Sequence, residues 1–281
     1  GCPRKAWAEL QSKFAIEAEP ETEADEETET ESPTDAMRFG TLYHTFLLEP
    51  DEFLKSAAVL DAYVTNRLFE EALATGSKAR GFSKKLATYK AWKQDRESRG
   101  ITIVNERDAA KMEDMRETLF RDDEIQSELA SVEKTEISVY FGLPVSGSKM
   151  EAPFVQCKAR LDAWYPGVIL DLKTCRSAHP LEFARTIPQL GYDTQFAWYR
   201  IAAKCAGLDV SRCGFIAQEA AFPYLHALHW MPDEWLSYSR KEVMRIYYQL
   251  APCIASGVYP GYGNGDILPP AWLEETIEMN A

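Results

Sequence analysis

Long apolar runs are missing from this 281-residue chain, and none approaches the roughly 18 residues that a membrane-crossing helix needs. No helical membrane span is therefore expected. The six cysteines form no CxxC pair and no zinc-finger spacing, so they are expected as reduced, mostly buried small hydrophobes. No internal repeat is present, which argues against a repeat array. There is no initiator Met and no signal-like opening, and the chain is expected to be a trimmed intracellular form. What is present is 46% hydrophobic and 12% aromatic residues, the composition of a globular protein large enough for one large or two small domains.

The formal net charge of −13 argues at first against nucleic acid as a partner. Its distribution reverses that argument. Residues 17–35 (EAEPETEADEETETESPTD) hold ten acids and no base, leaving 34 acids against 31 bases elsewhere. Such a segment cannot bury enough apolar surface to fold, and it is read as a disordered, solvated linker. A DNA-mimicking or regulatory arm is the alternative. Residues 1–16 are expected to form an N-terminal helix, and 36–281 one domain with a helical insertion at about 51–130.

Along that domain, MRFGTLYHTFLLEP has helical periodicity and carries His44 at its middle. Residues 51–75 read as helix again. Segment 78–99 carries eight bases, including Lys84 and Lys85, with Phe82, Tyr89 and Trp92 interleaved. It is either a solvated helix face or a surface that tracks phosphates with aromatic support. ITIVNERDAAKM predicts a short strand and then one helix to about residue 130, capped by Asn105 or Asp108. TEISVYFG alternates as a strand; His179 starts a helix that Pro188 interrupts, and a second helix closes at Gly207. Two further strands and a long amphipathic helix complete an α/β or α+β pattern. His226 and His229, three apart on a strand, face opposite ways and are given no chemistry.

The stretch ARLDAWYPGVILDLKT predicts a hairpin around Pro166-Gly167. That turn pairs Tyr165 with Val168, Trp164 with Ile169, Ala163 with Leu170, and Asp162 with Asp171. The two carboxylates then sit opposite each other, about 5 Å apart at Cβ, and Lys173 follows on the same face. Leu161, Ala163, Val168, Leu170 and Leu172 form the apolar face. Pro-Gly suits a type II turn, so a one-residue slip or a bulge stays open. Facing carboxylates repel, and a half-buried pair raises one pKa or requires a cation. A divalent ion suits hard oxygen ligands; a solvent-facing Lys–Asp pair is the alternative.

The pattern D-x8-D-x-K followed by Thr174 resembles the PD-(D/E)xK nuclease core. Gln195-Phe196-Ala197-Trp198-Tyr199 is similar to the Q-x-x-x-Y helix of its RecB-like branch, Gly40-Thr41-Leu42-Tyr43-His44 to the G-T-x-x-H helix, and Cys2-Pro3-Arg4-Lys5-Ala6-Trp7 to the C-P-R-K-aromatic opening. FGTLYHTFLLEPDEF, EISVYF, the D…DLKT hairpin and DTQFAWY, in that order over roughly 36–250, resemble the RecE-type exonucleases, the exodeoxyribonuclease VIII class. That resemblance implies an α/β fold of restriction-endonuclease type, a central mixed sheet with an antiparallel catalytic hairpin flanked by helices.

For the site, the resemblance implies catalytic Asp162, Asp171 and Lys173. It implies Mg²⁺, with Mn²⁺ as substitute, on His44, Asp162, Asp171 and the Leu172 carbonyl, with Glu136 reaching the metal or its waters. Gln195, Tyr199, Tyr192 and Arg160 are expected at the DNA, with Lys84 and Lys85 on the basic segment. The activity implied is 5′→3′ digestion of linear double-stranded DNA ends to 5′-mononucleotides, leaving 3′ tails for recombination. The enzyme is expected as a ring, a tetramer in the RecE type. A single-strand annealing recombinase is the expected partner, in the cytoplasm of a bacterial or phage-infected cell. The competing readings are a RecB-like nuclease on single-stranded ends or flaps, and a DNA-binding module without activity. The intact Asp162, Asp171 and Lys173 argue against the last.

Overall fold

The computed structural model describes residues 34–145 and 154–261. The expected helix over 1–16, with its Cys-Pro-Arg-Lys opening, lies outside these, as does the acidic linker up to residue 33. Asp35 already belongs to the first helix, which Thr34 caps. Helices α1 (Asp35–Leu48), α2 (Pro50–Ser56), α3 (Ala62–Ala74), α4 (Ala87–Ser98), α5 (Glu106–Leu119) and α6 (Asp123–Ala130) precede the main sheet. Between them run the short strands β1 (Ala57–Leu60) and β2 (Thr102–Asn105). Then follow β3 (Lys134–Pro144), β4 (Phe154–Tyr165), β5 (Gly167–Cys175), α7 (Pro180–Leu190), α8 (Tyr192–Cys205), β6 (Val210–Glu219), β7 (His226–Trp230) and α9 (Asp233–Ser256).

The described chain divides into two compact units, residues 34–141 with 157–243, and residues 142–145 with 154–156 and 244–261. In the smaller unit Tyr247 Oη donates to the Leu143 carbonyl at 2.7 Å. The larger unit carries the five-stranded sheet, ordered β3-β4-β5-β6-β7. β4 and β5 pair antiparallel, β5 and β6 parallel, and β6 and β7 antiparallel, so the sheet is mixed as expected. No described helix is long and apolar enough to cross a membrane.

The hairpin keeps the register drawn from the sequence: Tyr165 opposite Val168, Trp164 opposite Ile169, Ala163 opposite Leu170. Gly167 has φ +89°, the left-handed value that the third position of a type II turn demands and glycine meets without strain. The expected apolar face is buried throughout, from Leu161 to Leu172. Ala163, Val168, Leu170 and Leu172 join Tyr43, Met112, Met115 and Leu119 in the main core. On the other face Phe196 of α8 packs against Phe215 of β6, ring centroids 4.2 Å apart. Both faces are therefore covered, and the aspartate side is drier than the half-buried setting expected: Asp171 is 0% exposed.

Several local expectations change. Residues 57–60, expected as helix, form β1, because AAVL finds a parallel partner in β2 and that ladder outweighs the helix propensity of two alanines. The helix expected to run to 130 breaks at 120–122. There Asp122 Oδ1 accepts from the N–H groups of Glu124 and Ile125 at 3.0 and 3.1 Å and starts α6. Asn105 caps α5, accepting from the Asp108 N–H at 2.8 Å. Pro188 does not end α7; it sits in the last turn, and the helix closes at Gly191. Tyr89 and Trp92 of the basic segment are buried with Leu60 and Leu68, and Phe82 packs on them. They are core residues rather than a platform for bases. His179 caps α7, its Nδ1 accepting from the Leu181 N–H at 3.3 Å. Of the described cysteines, Cys213 and Cys253 are buried, Cys157 and Cys175 half-buried, and Cys205 exposed, all as free thiols.

Candidate metal and nuclease centre

Helix α1 brings His44 to the sheet. Its glycine lets the helix come close, since a Cβ at Gly40 would stand 2.9 Å from Thr174 Oγ1 on β5 and displace that side chain. One turn on, buried Tyr43 Oη donates to Gln218 Oε1 at 2.6 Å, and Gln218 Nε2 donates to the Met115 carbonyl at 2.8 Å. This bridge ties α1 to β6 and α5 beside the histidine. A buried polar pair of this kind is costly to break singly, so it fixes the helix in position.

His44 then spans two carboxylates. Nδ1 lies 2.9 Å from Glu136 Oε1, and Nε2 lies 3.0 Å from Asp162 Oδ2. Arg160 closes an ion pair on Glu136 Oε2. Lys173 Nζ stands 2.7 Å from Asp171 Oδ2 and 4.7 Å from the centre of the Tyr192 ring. On the same helix face, Gln195 Nε2 donates to Tyr199 Oη at 2.7 Å.

The charges respond to this crowding. Burial works against ionising Asp162, but the close His44 contact and the Lys173 charge outweigh it and hold its carboxyl below the usual range. Burial and then the Asp162 charge push Asp171 up to about 8, against the pull of Lys173. Burial would lower His44, yet the charges of Asp162 and Glu136 beside its ring prevail and lift it to about 10. Lys173 is raised likewise, its own burial outweighed by Asp171 and Asp162. Tyr199 is raised by burial and by the neighbouring acids, which places its hydroxyl in their field.

Three buried atoms here lack a well-directed hydrogen-bond partner: His44 Nε2 and both oxygens of Asp171. The contacts to Asp162 and Lys173 are close without having hydrogen-bond geometry. Buried polar atoms are rarely left so. Among the described residues, His44, Glu136 and Asp162 also form the one group whose ligand atoms lie within 4.8 Å of one another. Imidazole with hard carboxylate oxygens suits a divalent cation, and the residues fit such an ion.

The profile of one protein family, described as a PDDEXK-like domain of unknown function (DUF3799), matches residues 5–268. The chain belongs to that family. Its mixed sheet with flanking helices is the PD-(D/E)xK nuclease-like fold, and nucleases of this class use divalent metals. No curated protein matches the PDDEXK-like chain. Solved structures similar to it include the following two. A protein of Eubacterium rectale, provisionally named an exonuclease, has 14% identity and a TM-score of 0.46, over 88% of this chain and 80% of that one. The structure of SSO0001 has 11% identity and a TM-score of 0.26, over 65% of this chain and 86% of that one.

Most of the residues singled out in the sequence meet in this PDDEXK-like centre: His44, Glu136, Arg160, Asp162, Asp171, Lys173, Tyr192, Gln195 and Tyr199. Leu172 buries its side chain in the core, so only its backbone remains for the site. Lys84 and Lys85 are exposed in the turn before α4, beside the small β1–β2 layer. What the sequence did not reveal is the direct contact of Glu136 with the His44 ring and the clamp of Arg160 on Glu136.

Proposed function

We propose that this protein is a divalent-metal-dependent DNA exonuclease that degrades linear duplex DNA 5′→3′, releasing 5′-mononucleotides and leaving 3′ single strands for recombination. The observation that carries the nuclease reading is the convergence of Asp162, Asp171 and Lys173 with His44 on a covered hairpin. Polarity, duplex preference, the ring-shaped homo-oligomer (a tetramer) and an annealing recombinase as partner rest on the likeness of the motifs to RecE-type exonucleases. Mg²⁺ is the proposed ion, with Mn²⁺ able to replace it.

In hydrolysis a water oxygen bonds to phosphorus while the bond to the 3′ oxygen breaks, leaving the phosphate on the 5′ side of the product. His44, Asp162 and Asp171, with the Leu172 carbonyl, would hold the ion. The ion supplies charge neutralisation and lowers the pKa of the attacking water. Lys173, kept protonated by the two aspartates, stabilises charge developing on the phosphate oxygens and orients the water. Tyr192, packed under the lysine, limits where its amine can point. The Gln195–Tyr199 pair and Arg160 face the strand being cut.

Linear duplexes labelled at the 5′ or the 3′ end test the proposal directly. With Mg²⁺ the 5′ label is expected to leave first as mononucleotide, and without divalent ion nothing is released. Lys173→Ala is expected to lower hydrolysis by about 10²- to 10⁴-fold while DNA binding in Ca²⁺ persists. Full activity in that variant would sink the assignment. Release from single strands or flaps in preference to duplex ends would favour the RecB-like alternative.

A further inference from the structure

Glu136 is strained in a way no other strand residue described here is. It lies inside β3 with φ +51°, a left-handed conformation that a long L side chain rarely takes and that concentrates at functional sites. Tyr224, the other non-glycine residue described with positive φ, sits in the loop between β6 and β7. The twist at 136 has a visible product. It turns the carboxylate so that Oε1 meets His44 Nδ1 at 2.9 Å and Oε2 meets the Arg160 guanidinium. The side chain is 12% exposed, whereas Arg160 reaches it from a 59% exposed position.

The two sides of the His44 ring are therefore unequal. On the Nδ1 side every partner is spoken for, since both Glu136 oxygens already face a nitrogen. On the Nε2 side the nitrogen and both Asp171 oxygens lack a well-directed partner. The lone pairs of an imidazole diverge, so one ring cannot offer both nitrogens to one ion. We infer that Glu136 is a positioning residue and not a metal ligand: it accepts the Nδ1–H of His44, fixes the tautomer that presents Nε2 to the cation, and is itself held by Arg160. A carboxylate behind a ligating histidine orients the ring and raises its basicity. The inference rests on the metal site proposed above but requires no nuclease activity.

Direct titration of the DNA-free protein with Mn²⁺, by calorimetry and by the electron paramagnetic signal of free Mn²⁺, separates the possibilities. Glu136→Ala is expected to weaken Mn²⁺ binding by about 10- to 100-fold. Glu136→Gln keeps an oxygen that can accept from Nδ1–H, and should recover most of that loss. A Gln variant binding as weakly as the Ala variant would make Glu136 a direct ligand and overturn the inference. Unchanged binding in both variants would overturn it too, leaving Glu136 a structural residue. Glu136→Gly covers the chance that the alanine variant folds poorly. Glycine relieves the backbone, so the metal-free protein should melt above the Ala variant while binding Mn²⁺ as weakly. Failure of the nuclease reading would appear separately, as normal Mn²⁺ binding without digestion of DNA.

Discussion

Near neutral pH His44 and Lys173 hold protons in the metal-free protein because the neighbouring acids outweigh burial, and Asp171 holds one because burial and the Asp162 charge disfavour its anion. The stability that follows has a definite sign. His44 moves from 6.5 to about 10 on folding, so its contribution is complete below about pH 6.5 and is lost as pH rises towards 10. Asp171 moves from 3.8 to about 8 and acts in the same direction, its contribution draining away between those values. The thermal midpoint of metal-free protein is therefore expected to fall as pH is raised from 6 to 9. Saturating Mn²⁺ or Mg²⁺ should flatten that fall by supplying the missing positive charge. A midpoint that rises over this interval would contradict the arrangement of His44 between its two acids. At this scale the sequence was informative where residue type alone names the chemistry, as for Asp162, Asp171 and Lys173. It could not reveal the role of Glu136, since nothing in KTEISVYF marks a left-handed backbone at a glutamate.

Among the elements, α1 is the one whose placement decides the site, and Gly40 is the contact that decides α1. Gly40→Ala improves helix propensity by about 1 kcal/mol, but its methyl meets Thr174 Oγ1 at 2.9 Å. A threonine side chain can rotate away, so the net change in stability is expected within about 1 kcal/mol. His44, one turn further on, should shift with the helix. The variant is expected to melt nearly as the parent does but to bind Mn²⁺ more weakly, and Thr174→Ala in the same chain should restore part of the affinity. Calorimetry and thermal melts on the single and double variants check this. The hairpin, α1 and α8 were legible because each carries its own period and a turn or cap that fixes its ends. The Ala-rich β1 was not, because its partner strand lies more than 40 residues away and no local signal announces it. The same holds for Phe82, Tyr89 and Trp92, whose spacing alone does not separate a stacking surface from a small core.

For the whole molecule, the proposed DNA substrate meets a net charge of −13. Long-range attraction to DNA is then weak, and binding must rest on local basic surface together with the metal centre. Lys84 and Lys85 are exposed and lie outside the centre. Reversing both to glutamate is expected to weaken duplex binding and to reduce the steepness of its salt dependence by about two charge equivalents. The Mn²⁺ affinity should stay as in the parent. Fluorescence anisotropy across a salt series measures both, and an unaltered slope would make this segment a solvated face. Composition gave the class of molecule and the location of its acidity; which basic side chains reach the surface depends on folding together distant parts of the chain.

The left-handed glutamate in β3 also bears on how this chain can change. A non-glycine residue in that conformation costs about 1–3 kcal/mol, a sizeable share of a domain's total stability. A library at position 136 sorted only for yield of folded protein would drift towards glycine, whereas the same library sorted for metal uptake would return to glutamate. On the role inferred for Glu136, folding and metal binding compete at a single backbone angle.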